Sequence, residues 1–385
     1  MSTQPFFTFT FPDGLESFPD VVLPPNPYDI EEWFTAPVTG APLTYGTQNV
    51  FILNQSDVLV PISQTGGLQV IINDGTISQS GAQNTIKAGG NSQSIITNQG
   101  LIEGRIQTSL NDDLIVNSGT IDGQVRTGAG HDLLVNGFTS TDSAITDFVS
   151  MASGDDVVQN AGSMARVNLG TGDDFYVSLD GIGTADRVQG GNGEDTLRGG
   201  AGDDRFDGGR DADLLVGGAG DDTLNGGQGK DTLSGGSADD SLDGGDSTDL
   251  LRGGDGNDTL DGGTGGDLLI GGEGDDLMSG GTGSDRFEFL ANSGADTITD
   301  FQSGADVLVF ATDASDGSVL SYSAGDVLAN TSFVGGNAVI DLTAVYELSA
   351  ADAAIEDGTT LTLLGVSATG LDMADIIAPT VEIIG

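Results

Sequence analysis

Between Gly190 and Glu288 the chain repeats a nine-residue pattern, Gly-Gly-x-Gly-x-Asp-x-apolar-x, eleven times without a slip of register. The sixth position is aspartate in every copy: Asp195, Asp204, Asp213, Asp222, Asp231, Asp240, Asp249, Asp258, Asp267, Asp276 and Asp285. The eighth is always apolar, from Leu197 and Phe206 through Met278 and Phe287. A disordered acidic tract does not keep an apolar residue at every ninth position, and a fixed period of this kind marks a repeat architecture. Glycines at the first, second and fourth positions permit positive φ and close backbone approach. We therefore expect a turn over the first six residues of each copy and a short strand over the last three. The eighth side chain then points inward, and the seventh and ninth point outward. Two copies make one coil, and the expected fold is all-β: a parallel β-roll or β-helix solenoid.

Successive carbonyls along an extended glycine turn point in opposite directions, toward the coil above and the coil below. Calcium takes about six to eight hard oxygen ligands from carboxylates and carbonyls, which is what such stacked turns offer. Over residues 190–288 the motif closely resembles the RTX, or repeats in toxin, calcium-binding family. The resemblance implies structural calcium ions between turns on the same side of the roll. In that scheme the carbonyls of Gly191 and Gly193 and the carboxylate of Asp195 face one ion, and the next coil completes the site with the carbonyls of Gly208 and Arg210 and with Asp213. Moved along in steps of nine, it adds Gly200, Gly202, Gly209, Gly218, Gly220, Gly227, Gly229, Gly254, Gly256, Gly263, Gly265, Gly272 and Gly274 beside the eleven aspartates, with roughly nine interior ions. Asp211, Ala238 and Ser247 replace the fourth-position glycine in three copies. Positive φ is costly there without glycine, so those turns should be strained or their ions weaker. Eleven buried apolar side chains do not offset the ordering of so glycine-rich a segment, and we expect it to be unfolded without calcium.

The chain carries 11 basic and 59 acidic residues, a formal charge of −48, which makes nucleic acid and anionic membranes poor partners. There is no cysteine, so disulfides and thiolate metal sites play no part. The first basic residue is Lys87, so no charged n-region of a cleavable signal peptide precedes it, and no apolar run is long enough for a membrane helix. Calcium turns of this kind work near the weak, extracellular end of the affinity range, about 10⁻⁴ to 10⁻³ M, so we expect an extracellular, secreted or surface-associated protein. In the RTX family export uses a type I channel that reads an uncleaved C-terminal signal. The segments Phe287-Glu288-Phe289, Ser293 to Phe301 and Gly304 to Phe310 resemble that family's C-terminal flank, and Thr380 to Gly385 form a short apolar tail.

Four segments follow: 1–62, an N-terminal cap or donor strand; 63–188, degenerate solenoid coils; 189–288, the calcium roll; and 289–385, an antiparallel β cap with the secretion region. The second segment is read from Asn73, Asn98, Asn117, Asn136 and Asn160, which recur beside small turns after apolar strands such as Asp113 to Val116 and Asp132 to Val135. Their spacing near 19 approximates one coil, which places these strands on the axis of the calcium repeats. Asp174, in Gly170-Thr171-Gly172-Asp173-Asp174, is either a first calcium ligand or a plain polar corner. Phe6-Phe7-Thr8-Phe9-Thr10-Phe11 alternates like a strand with one apolar face, either folded over its own coil or paired with a neighbouring molecule. In segment 302–385, alternating stretches such as Ala338 to Leu342 and Thr360 to Leu364 supply the cap that an open solenoid end requires.

Chemistry is harder to place. His131 is the single histidine, sits in a repeat-like turn, and reads as turn decoration; no His-Glu-x-x-His helix or Gly-x-Ser-x-Gly elbow exists. Arg105, Arg126, Arg166 and Arg187 are spaced as if at equivalent places in successive coils. We expect a non-enzymatic, calcium-binding structural component of a surface, matrix or filament, self-associating or meeting a polysaccharide or cell surface, without inserting into a membrane. The alternatives are an adhesin or glycan-binding module and, further off, a polysaccharide epimerase or lyase.

Overall fold

The computed structural model describes residues 30–34, 42–46, 49–58, 60–78, 84–137, 143–179, 186–289, 293–310, 324–342, 360–366, 371 and 375–377. The expectations for Phe6 to Phe11 and Thr380 to Gly385 lie outside them. Two long parallel sheets face each other along a shared apolar interior. Among the described residues one has 16 strands, from Ile30–Phe34 through Val50–Asn54 and Thr196–Ala201 to Ile376–Ile377, and the other has 22 and includes Leu43–Tyr45, Arg187–Asn192, Arg205–Arg210 and Thr360–Leu363. The chain passes from one sheet to the other at two edges, so each edge carries a column of stacked corners.

Within the repeats the register is the expected two copies per coil: Leu197 pairs with Leu215, Leu215 with Leu233 and Leu233 with Leu251. The eighth-position side chains from Leu197 to Phe287 are all buried and stack into one continuous core. Aromatic rings widen that core near the ends of the repeats, where Tyr176 meets Phe206 edge-on at 6.1 Å between ring centres. The strands are longer than expected. Thr196–Ala201 and its equivalents run on through the first three residues of the next copy, leaving only positions four to six as the corner. The physical reason is that paired glycines such as Gly200 and Gly218 bring successive backbones into hydrogen-bonding distance, and the ladder therefore continues where a turn was expected.

Parallel coils also begin earlier than residue 63. Ile30–Phe34 pairs with Val50–Asn54, and Leu43–Tyr45 with Ile62–Gln64, so part of the expected N-terminal cap is itself solenoid. At the other end the antiparallel cap is narrower than expected. Thr331–Val334, Asn337–Asp341 and Thr360–Leu363 pair antiparallel, yet Thr360–Leu363 and Ile376–Ile377 also add parallel rungs to Ala295–Ile298 and Val307–Phe310.

In the coils before the repeats, one corner column is an asparagine ladder. The side-chain Nδ2 of Asn54 donates to Asn73 Oδ1 at 2.6 Å, and the chain continues through Asn98, Asn117, Asn136 and Asn160 at 2.7, 2.8, 2.8 and 2.9 Å. Asparagine suits a buried column because its amide both donates and accepts, so each rung satisfies the next without any ion. Replacing Asn117 by Ala takes the donor from Asn136 Oδ1, a loss of about 1 to 3 kcal/mol, and leaves the Asn98 amide with the carbonyls of Gly100 and Thr120 alone. Chemical denaturation in the absence of calcium should show the coils before the repeats destabilised by at least that amount; an unchanged midpoint would mean the ladder carries no stability.

Candidate metal centre

The eleven sixth-position aspartates lie at the corners, within 3% of complete burial. They form two columns, one on each edge, and consecutive members of a column are joined by one repeated bond. The main-chain N–H of Asp195 donates to Oδ1 of Asp213 at 2.8 Å, and Asp213, Asp231 and Asp249 continue the same bond at 2.8 Å. On the other edge Asp204, Asp222 and Asp240 do likewise at 2.8 Å and Asp258 at 2.9 Å. That bond uses one carboxylate oxygen. The second, Oδ2, is buried without a hydrogen-bond partner in Asp195, Asp213, Asp222, Asp231, Asp240, Asp249, Asp258, Asp267, Asp276 and Asp285.

An unsatisfied buried carboxylate oxygen is costly, and one per corner along both edges calls for a cation. First-position glycine makes room for it, since a Cβ on Gly190 would collide with Asp195 Oδ2 and approach the Gly208 carbonyl. Among the described residues no three His, Asp or Glu side chains gather into a metal site by themselves. An ion here would be shared between aspartates one coil apart and the carbonyls of the stacked turns, an all-oxygen set that fits calcium.

Burial also sets the acid–base behaviour. Desolvation pushes the Asp195 carboxyl up to about 7 and Asp213 up to about 8, opposed by the amide bond each accepts and reinforced by neighbouring aspartates. Asp222, Asp258 and Asp267 rise to about 6, and Asp240, Asp249 and Asp276 to about 7, for the same leading reason. Asp231 and Asp285 shift in the same direction. Without metal, the folded roll holds protons that the unfolded chain releases near pH 4, so its stability falls as pH rises from there through about 7.

The corner backbone shows why glycine is used there. The expected ligand glycines at the second and fourth positions, Gly191 and Gly193 through Gly272 and Gly274, have positive φ, as do Gly236, Gly245, Gly281 and Gly283 at equivalent positions, which the sequence reading did not name. Asp211, Ala238 and Ser247 hold the same conformation, at φ 73°, 85° and 89°. The strain expected from their side chains is therefore present.

Both columns extend beyond the eleven copies. Asp186 N–H donates to Asp204 Oδ1 at 2.6 Å, Asp276 to Asp296 at 3.1 Å and Asp285 to Asp306 at 3.0 Å. Toward the N-terminus, Asp174 donates to Asp195 at 2.9 Å, Asp156 to Asp174 at 2.7 Å, Asp132 to Asp156 at 2.7 Å and Asp113 to Asp132 at 2.8 Å. Asp174 thus shares the hydrogen bonding of the column. Asp113, Asp132 and Asp156 escape a search for the whole nonapeptide because the first glycine is gone: Thr108, Thr127 and Met151 stand in its place, as Leu169 does before Asp174. The surviving signal is Asp at position six with an apolar residue at eight, as in Asp132 and Leu134.

Two other expectations resolve differently. His131 is exposed and its Nδ1 accepts the Asp155 N–H at 3.1 Å, a corner bond between coils. The four arginines are not equivalent. Arg166 and Arg187 precede the paired Val167 and Val188, and Arg187 pairs with Arg205, whereas Arg126 pairs with Gln107 and Ser150, and Arg105 with Asn84. Insertions between coils break the simple spacing rule.

The family model for the RTX calcium-binding nonapeptide repeat matches residues 180–215, 216–251 and 252–287. Residues 180–287 are RTX calcium-binding repeats. Among solved structures, the AlgE6R3 subunit of the Azotobacter vinelandii mannuronan C5-epimerase is 27% identical, over 39% of this chain and 84% of that one, at a TM-score of 0.30. The extracellular lipase LipA of Serratia marcescens is 15% identical, over 66% of this chain and 45% of that one, at a TM-score of 0.26. No curated protein matches the chain.

Two measurements check the RTX corners. Ala238→Gly removes left-handed strain worth about 1 to 2 kcal/mol, and a calcium titration followed by circular dichroism should reach its midpoint at lower calcium; a higher midpoint would contradict the strain. Because calcium must displace protons, that midpoint should rise when wild-type protein is moved from pH 8 to pH 6, whereas in chelator β-sheet signal should grow over the same change.

Proposed function

We propose that the protein is a structural solenoid that folds on meeting calcium outside the cell and works as an assembly component of a surface, matrix or filament. RTX repeats are typical of secreted proteins, and no described helix is long and apolar enough to cross a membrane. Millimolar calcium outside the cell matches the affinity range of such corners, and type I export fits the flank after the repeats.

The observation that carries the assembly reading is the parallel ladder and the edge at which its described rungs end. Among the described residues Ile30–Phe34 pairs on one side only, with Val50–Asn54. An unpaired strand edge is a template for another strand. Contact between that edge and the far end of a second copy is heterologous, and repeated it makes a filament rather than a closed ring. At the far end Phe333 and Val334 of the antiparallel hairpin are exposed, an apolar tip that such a contact would cover.

One observation favours a second reading, a glycan-binding module. Arg166, Arg187 and Arg205 are exposed and stand on three successive rungs of the second sheet, a basic column on a strongly acidic molecule. A carboxylated polysaccharide laid across the rungs would meet one guanidinium per rung. On this account the protein has no catalytic role.

Electron microscopy of the full chain, first in chelator and then in millimolar calcium, separates the two. Ordered filaments or sheets only with calcium are expected; folded, dispersed monomers in calcium would overturn the assembly reading. Retention on an acidic-glycan matrix that is lost in Arg187→Ala would then support the second.

A further inference from the structure

The coils between Thr127 and Asn192 lie mostly before the matched repeats, yet one of their edges has the corner construction of the RTX segment. In the repeats, the fourth-position N–H donates to the third-position carbonyl one coil on, as Gly202 does to Ala219 at 2.7 Å. The same bond joins Gly130 to Ser153 at 2.9 Å, Gly154 to Thr171 at 2.8 Å and Gly172 to Asn192 at 2.9 Å. Positive φ recurs at Gly130, Ala152, Gly154, Gly170 and Gly172. Asp132 and Asp156 are completely buried and Asp174 is 3% exposed, and each leaves Oδ2 without a hydrogen-bond partner.

The chain contains its own comparison. On the opposite edge of the same coils the buried corner residue is Asn117, Asn136 or Asn160, whose amides satisfy one another or a neighbouring group. Where a buried column stands without metal, this protein uses asparagine. In the partner column Asp132, Asp156 and Asp174 each leave one acceptor with nothing to accept from, and burial pushes Asp132 up to about 7 and Asp156 up to about 9.

We propose that calcium ions occupy this single edge beyond the matched repeats, in the gaps between the corners ending in Asp132, Asp156, Asp174 and Asp195, with main-chain carbonyls of the stacked turns completing each site. Met151 and Leu169, which replace the first glycine, send their side chains into the core and leave the corner open. The result is a zone loaded on one edge only, which joins a metal-free asparagine-laddered stack to a roll loaded on both.

The inference rests on the RTX reading of the repeats, and one experiment separates the two. Bound calcium per full-length chain is counted by equilibrium dialysis and elemental analysis for wild type, Asp156→Asn, Asp132→Asn and the exposed control Asp122→Asn. Asparagine keeps an oxygen for the amide bond but removes the carboxylate. Asp156 borders two gaps, so Asp156→Asn should lose up to two ions, Asp132→Asn one, and Asp122→Asn none. A wild-type count in both Asp132→Asn and Asp156→Asn would overturn the one-edge column while leaving the RTX sites intact; a wild-type chain that binds no calcium would overturn both. Should Asp156→Asn fail to fold, Asp132→Asn, at the end of the column, decides alone.

Discussion

One buried group governs this molecule: an aspartate carboxylate, as at Asp195, Asp213 and Asp222, that receives an amide hydrogen bond on one oxygen and has a second oxygen left over. The amide bond fixes where the carboxylate sits, because consecutive rungs hand the same bond along each edge. The leftover oxygen fixes what the corner needs. Desolvation resists an unpaired buried charge, so the ion-free roll either holds protons or opens. A divalent ion shared between corners removes the penalty on two rungs at once. Folding and calcium binding are then thermodynamically coupled.

The first coils answer the same packing problem without metal. From Asn54 to Asn160 an amide ladder fills one edge, and isoleucine and valine fill the interior. Near Asn160 the chemistry changes on that edge, where the asparagine Nδ2 donates to Asp186 Oδ1 at 3.2 Å and the aspartate column takes over. A solenoid allows such a change because each coil touches only its neighbours, so corners can differ along the axis while the strands continue.

Much of this is written in the sequence. An invariant Asp at position six and an apolar residue at eight define the coil length, the inward face and the corner column. The recurring Asn73, Asn98, Asn117, Asn136 and Asn160 mark the earlier coils. Three things were not legible. Strand length was underestimated because glycine pairs read as turn, while in the stack Gly200 and Gly218 are ladder partners. Asp113, Asp132 and Asp156 were hidden because the glycine that flags the motif is lost before the aspartate that does its chemistry. The arginine alignment failed because coil length varies, from 19 residues between Ile106 and Val125 to 24 between Val125 and Val149, so similar spacings along the chain do not mark equivalent rungs. Coil position is a property of pairing, and pairing is only approximately periodic in the chain.

The central claim is that the aspartate corners need calcium and the asparagine corners do not. Hydrogen–deuterium exchange of the full chain, resolved by peptide in chelator and in millimolar calcium, tests it most directly. Amides from Val50 to Arg126 should be protected under both conditions, and those from Thr196 to Phe289 only with calcium. Equal protection of both regions in chelator, or loss of both together, would contradict the account.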